Sequence, residues 1–372
     1  MTFKILSCDG GGIRGYLSAR IMQDLHADTG FLDHVDGFAG TSTGGLIAIA
    51  LADGRAQGKD MTDLIDKIVC IYRNDAKKIF QELTTTRFGT VVEDLLETLG
   101  LAGGAGILSA QYSPDGVRDI AHDLVGDRTF GSVPSSLVLA VNTAALAMEL
   151  PPDARDPNKP DLRNWGPVTL SNHVVGTAFG ADTLGITLKD GALATSAAPS
   201  YFPPHSIDIS ATRSMYFADG GTFANNPVMN AVEIALAADP KRHLGDIEIL
   251  SIGTGLQPLA ITNKDAAYWG PDYYGVLEWF GAGEIAPTAG LLELTLTASA
   301  ENQTRIAQAL FKDKLVRLNP FVPADIKLDS TDDAIFGTMN TIVTGLQAKA
   351  DWSAARALLT GWSPRGAALG RP

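Results

Sequence analysis

At 372 residues, 45% of them hydrophobic and 19% charged, the chain has the composition of a globular protein with material for one large core. Its 42 acidic and 29 basic residues give a formal net charge of −13, with no Lys/Arg cluster above the background. That balance argues against nucleic acid as a partner and against strong electrostatic adsorption to anionic lipid.

Phe3 to Cys8 is an apolar run of strand length, and the helix after it carries Leu17, Ile21, Met22 and Leu25 at helical spacing. A second run, Val35 to Ala39, leads into Gly40-Thr41-Ser42-Thr43-Gly44 and an apolar helical stretch from Leu46 to Ala52. Met61 to Tyr72 repeats the helical period, and Ser113 is placed to cap a helix through Val125. Leu137 to Asn142 reads as a buried strand, whereas Pro151 to Pro167, rich in Pro, Asp and Asn, reads as a long surface loop. Leu188 to Ala197 is helical by pattern and stops at Ala198-Pro199. Met215 to Ala218 is a short strand entering Asp219-Gly220-Gly221, after which Asn226 caps a helix opening at Pro227. Ile247 to Ile252 and Leu315 to Leu318 complete the strands. Strands alternating with helices predict an α/β sandwich around a mainly parallel sheet, with no low-complexity linker and no internal repeat.

Cys8 and Cys70 stand at no metal-ligand spacing and read as two buried free thiols in a reducing compartment. No signal peptide precedes the first strand, and no apolar run reaches the ~18–20 residues of a membrane span. A cytoplasmic protein is expected, with export by a signal-less route left open.

Three motifs carry chemistry. Gly40-Thr41-Ser42-Thr43-Gly44 lies between a strand and a helix, the setting in which a serine is exposed on a sharp turn above a sheet. Asp9-Gly10-Gly11-Gly12-Ile13-Arg14-Gly15 can present backbone N–H groups to an oxyanion at a helix start, with Arg14 either bracing the loop or lying on the surface. Its Gly10-x-Gly12-x-x-Gly15 spacing also matches a dinucleotide fingerprint. That reading needs an acid closing the second strand, and Asp33 and Asp36 come before or at its start. A serine needs a base. Of the six histidines (His26, His34, His122, His173, His205 and His243) none sits in a recognisable motif; His205, in a Pro-Pro-His-Ser turn, and His243, in a charged loop, read as exposed polar residues. Asp219, on its own glycine turn, is the better acceptor once shielded from water.

Together, Asp9-Gly10-Gly11-Gly12-Ile13-Arg14-Gly15, Gly40-Thr41-Ser42-Thr43-Gly44-Gly45 and Asp219-Gly220-Gly221 resemble the patatin-like phospholipase family. So do the stretch from Ala194 to Pro204 ahead of the acidic motif and Phe223-Ala224-Asn225-Asn226-Pro227 after it. The likeness spans roughly residues 3 to 255 and extends more loosely to Leu328-Asp329. It implies a three-layer α/β/α fold, with a catalytic domain over 1–320 and a C-terminal helical extension over 321–372 packed on it. It implies a Ser42–Asp219 dyad without histidine, an oxyanion hole at Gly10, Gly11 and Gly12, and supporting roles for Arg14, Gly40, Gly44 and Gly220. Neither metal nor organic cofactor is called for. The implied activity is lipid acyl-ester hydrolysis of the phospholipase A, lysophospholipase or galactolipase type, on membrane lipid met peripherally; some stand-alone bacterial members are switched on by signalling molecules. Head group, chain length and oligomeric state are not legible.

Two rival readings stand beside it: a Ser–His–Asp esterase completed by His243, and a non-catalytic module whose glycine loop holds a phosphate or acyl group. The aromatic segment from Tyr268 to Phe280 reads as a satellite core or as a lid that meets lipid. The Gly-rich stretch from Leu99 to Ile107 reads as a connector or a gate.

Overall fold

The computed structural model of the protein describes residues 2–83, 110–149, 163–174, 178–210, 213–258 and 290–362. Alternation in the first strand, β1 (Phe3–Cys8), sets the layers: Phe3 and Ile5 enter one apolar cluster, Leu6 and Cys8 another. The remaining strands are β2 (Gly37–Thr41), β3 (Val138–Glu149), β4 (Arg163–Ser171), β5 (His205–Ser210), β6 (Arg213–Asp219), β7 (Ile247–Ile252) and β8 (Leu315–Leu318). They form one sheet in the order β5-β6-β3-β2-β1-β7-β8, with β4 also paired to β3. From β3 to β8 all neighbours are parallel; β4, β5 and β6 add an antiparallel flank.

Helices cover both faces, giving three layers. The Val228–Ala238 and Leu291–Phe311 helices set Val228, Ile234, Ala307 and Phe311 against the Phe3 and Ile5 side. On the other face lie α1 (Gly15–Thr29), α2 (Thr43–Ala56) and α3 (Met61–Asn74), with the Asp115–Val125 and Leu188–Thr195 helices. The Asp333–Gln347 and Ala350–Thr360 helices pack on α1 and bury Phe336, Met339, Trp352 and Leu359 in the same core. Local chemistry explains the ends: α1 stops at Gly30, whose φ of 65° suits glycine, and α3 starts where Asp60 accepts the Thr62 and Asp63 N–H groups.

Several expectations shift. The proposed loop from Pro151 to Pro167 ends inside β4, since Arg163–Ser171 pairs with a β3 that runs on to Glu149 rather than stopping at Asn142. His205 is the first residue of β5, half-buried with its ring on Asp190 at 3.0 Å, not an exposed turn residue. Cys8 is buried, but Cys70 is exposed, because it falls on the solvent side of α3. The helix near Ser113 starts at Asp115, whose N–H donates to Ser113 Oγ at 3.2 Å. The helix near Asn226 starts at Val228, whose N–H donates to Asn226 Oδ1 at 3.1 Å. Residues 99–107 and 268–280 lie outside the described residues.

Candidate active site

Register brings the motifs together. Cys8 pairs with Gly40, so the glycine loop and the Ser42 turn leave the sheet side by side. On β3, Asn142 pairs with Thr41 and Thr143 with Asp219. One step beyond Thr41, Ser42 is therefore level with Asp219, with β3 between them.

Ser42 has φ 54° and ψ −127°, a conformation that costs a non-glycine residue about 1–3 kcal/mol. Its surroundings hold it there. The Ser42 N–H donates to Thr195 Oγ1 at 2.8 Å, and Thr195 Oγ1 donates in turn to the Asn142 carbonyl at 2.6 Å. The Ser42 carbonyl accepts the Gly45 and Leu46 N–H groups at 2.8 and 3.1 Å. The flanking glycines are needed for space: a Cβ on Gly40 would lie 2.1 Å from the Gly44 carbonyl oxygen, and one on Gly44 would lie 2.1 Å from that of Cys8.

Asp219 is buried at 3% exposure. Burial drives its pKa up to about 7, against the lowering effect of hydrogen bonds from the Ser42 hydroxyl and the Gly221 N–H, the latter at 2.7 Å. Gly220 packs on β3, where a Cβ would come within 2.4 Å of the Asn142 backbone. The two motif residues thus meet directly.

The three loop glycines differ. Gly10 donates its N–H to the Asn225 carbonyl at 3.0 Å, and its own carbonyl accepts from Thr254 Oγ1 at 2.7 Å. Its donor is therefore occupied. Gly11 and Gly12 have N–H groups with no acceptor among the described residues, and both line the site cavity. Gly12, at φ 55°, lies against the Leu328 carbonyl, which accepts the Ile13 N–H at 2.8 Å. Below the loop, Arg317 on β8 donates Nη1 to Asp9 Oδ1 at 2.7 Å and Nη2 to Asp9 Oδ2. Arg14 is buried, not on the surface; burial lowers its pKa to about 10.

Ser42, Asp219, Gly11 and Gly12 line one open pocket whose other walls are largely apolar, with Leu46, Phe80, Ile120 and Phe202 among them. Such a space suits an acyl chain beside a few polar groups. No histidine borders it among the described residues. His243 is exposed and its N–H donates to Asp246 Oδ2, and His26 accepts the Leu32 N–H at Nδ1. Among the described residues no cluster of three or more His, Cys, Asp or Glu could hold a metal ion, and no helix is long and apolar enough to cross a membrane. Sequence reasoning missed two residues here: Thr195, which props the serine turn, and Asn225, which braces the glycine loop. Both stand in stretches that carried the resemblance, yet neither residue type signals a role without its neighbours in space.

The sequence profile of the family described as Patatin-like phospholipase matches residues 6–232, more than half of the chain and all three motifs. The chain belongs to the patatin-like phospholipase family. Membership makes it a carboxylic-ester hydrolase with the mixed-sheet α/β/α fold seen above. This patatin-like phospholipase is 29% identical over 358 residues to a "cGAMP-activated phospholipase" of Vibrio cholerae, covering 89% of this chain and 85% of that one. It is 28% identical over 362 residues to an Escherichia coli protein of the same description, with the same two coverages. It is 25% identical to "Patatin-like protein 2" of Oryza sativa subsp. indica, over 80% of this chain and 70% of that one.

Proposed function

We propose that this patatin-like phospholipase cleaves fatty-acyl esters of membrane lipids through a Ser42–Asp219 dyad. The observation that carries the reading is the pairing of Ser42 with a buried Asp219 in a largely apolar pocket that is also lined by Gly11 and Gly12, whose N–H groups have no acceptor among the described residues. Ser42 Oγ attacks the ester carbonyl as its proton passes to Asp219, and the oxyanion is stabilised by Gly11 and Gly12. The C–O bond to the alcohol breaks, and Asp219 protonates the departing oxygen. Water then repeats the sequence on the acyl-enzyme and frees the fatty acid. Gly10 contributes by anchoring the loop, since its N–H is already bonded. We place the protein in the cytoplasm, meeting lipid at the membrane surface, with residues 1–320 as the catalytic unit and 321–372 as its extension.

The test is lipid mass spectrometry of membranes incubated with wild type and with Ser42→Ala. Free fatty acid and lysolipid should accumulate only with wild type. Release by the variant that matches that of an active wild type would remove Ser42 from the chemistry.

We further propose that hydrolysis waits for a small-molecule signal, because the similarity to two cGAMP-activated phospholipases runs along 89% of this chain. Adding cGAMP to the same assay should raise fatty-acid release at least tenfold, about 1.4 kcal/mol of barrier. High activity that is indifferent to cGAMP would refute this second reading alone.

A further inference from the structure

One wall of the site pocket comes from a part of the chain that carries none of the three motifs. The Leu291–Phe311 helix sends Leu292 and Leu296 into that wall. Leu296 reaches the acid itself. A methyl group built on Gly221 would lie 2.5 Å from Leu296 Cδ2 and 3.1 Å from both Asp219 Oδ1 and Asn225 Oδ1. A Leu296 methyl therefore occupies the space beside the two oxygens and leaves no room there for water. Asn225 Oδ1 is buried with no donor among the described residues, which marks the same spot as closed to solvent.

Hydrogen bonds tie this helix to the Asp219 turn. Ser299 lies about one turn after Leu296. Its Oγ accepts the Asn225 N–H at 3.2 Å and can donate to the Gly221 carbonyl at 3.2 Å or to the Leu296 carbonyl at 3.1 Å. Gly221 is the residue whose N–H bonds Asp219 Oδ1. Further along, Thr304 Oγ1 accepts from Asn226 Nδ2 at 3.0 Å. Apart from these ties the start of the helix is lightly packed. From Leu291 to Ser299 no residue is buried, and Leu291 and Leu294 are 40% and 48% exposed. The inward leucines of this stretch go to the site.

We propose that Leu296 is a positioning residue whose side chain keeps water off Asp219 and so makes the carboxylate an adequate base for Ser42, an inference that rests on the dyad reading above. A solvated carboxylate is a weak base because water stabilises its charge. Where water is excluded, taking up the Ser42 proton relieves that charge, and the proton moves more readily as the serine oxygen attacks. Charged neighbours do not supply the effect. Tyr72 and Tyr201 line the same pocket, and burial pushes both phenols up, so they stay neutral. Asp9, Arg14, Glu293 and Glu301 line the neighbouring polar pocket, which shares Asn225 and Leu296 with this one. Neither set shifts Asp219, which answers to burial first and then to its bonds with Ser42 and Gly221.

The experiment follows kcat/KM on p-nitrophenyl butyrate against pH in wild type, Leu296→Ala and Leu296→Met, with cGAMP present throughout. Opening the space to water favours the charged carboxylate. The alanine midpoint should therefore fall about one pH unit or more below the wild-type midpoint near 7. The plateau above it should drop about threefold to tenfold, because a weaker base takes the serine proton less readily. Methionine refills the space without a polar group and should keep the midpoint near 7. A merely structural role for Leu296 would not move the midpoint at all. An alanine midpoint equal to that of wild type overturns the proposal, and so does a methionine midpoint that falls as far as the alanine one. Should Leu296→Ala fail to fold, Leu296→Gln takes its place, since its amide brings donors to the carboxylate at similar length. The same fall then supports the proposal, and an unmoved midpoint overturns it. The dyad reading fails on a different result: a wild-type profile flat from pH 5 to 9 and a Ser42 that takes no fluorophosphonate label, with or without cGAMP. That result would overturn the present inference with it.

Discussion

A carboxyl group that bonds a serine hydroxyl and titrates near neutrality makes pH the most direct probe of Asp219. Burial lifts its pKa to about 7, and only the ionised form can accept the Ser42 proton. Activity on a soluble ester, as kcat/KM, should therefore rise with pH and level off above an apparent pKa near 7. A profile flat from pH 5 to 9 would exclude Asp219 as the base. The same shift has a consequence for stability, and its sign is definite. The folded pKa lies above the unfolded value, so the folded state holds the extra proton between about pH 4 and 7. The stabilisation from that proton is complete below about pH 4 and is lost as pH rises through 7. Asp219→Asn removes the buried charge while keeping the shape, so its melting temperature should gain on wild type from pH 5 to pH 8 as its turnover collapses. A variant less stable than wild type at pH 8 would contradict burial as the cause of the shift.

Among the elements, β8 has the least obvious link to the site and one of the firmest. Arg317 reaches from β8 under β7 and β1 to hold Asp9 with two N–H groups, and its Nη1 also donates to Ser251 Oγ at 2.9 Å. Burial raises the Asp9 pKa while Arg317 opposes the rise, as expected for an anion that depends on its partner. Arg317→Met would leave that carboxylate buried and alone, a change worth about 3–5 kcal/mol. Urea unfolding should show a loss of that size, and a loss below about 1 kcal/mol would mean that Asp9 is already neutral. The sequence offers no hint of this pair, which joins positions 308 residues apart.

On the scale of the whole molecule, the C-terminal helices belong to the core rather than to a detachable tail. Trp362 is 1% exposed, packs at 6.3 Å from the Phe31 ring and donates Nε1–H to Glu248 at 2.8 Å, while its carbonyl accepts from Lys4 Nζ. One residue thus ties the turn after α1, β7 and the start of β1 to the last described turn. Trp362→Ala should destabilise the protein by about 3–5 kcal/mol and lower its melting temperature by several degrees. A variant that melts with wild type would show that the end of the chain is not part of the cooperative unit.

The sequence by itself determined the layers and the three motifs. Period-two strands and apolar helical stripes are local signals, and a strand–Gly-x-Ser-x-Gly–helix needs its glycines for contacts a few residues away, such as that of Gly40 with the Gly44 carbonyl. β1, β7 and β8 were accordingly legible to the residue. The edge was not: β4 and β5 are half-exposed strands without a continuous apolar run, and only pairing with β3 and β6 makes them strands. Tertiary structure alone decided what lies between distant residues. It set Ser42 level with Asp219 across β3, spent the Gly10 donor on Asn225, buried Arg14 and propped the serine turn on Thr195. Such facts depend on register, shielding from water and the direction of single hydrogen bonds, and these exist only once separated segments have packed.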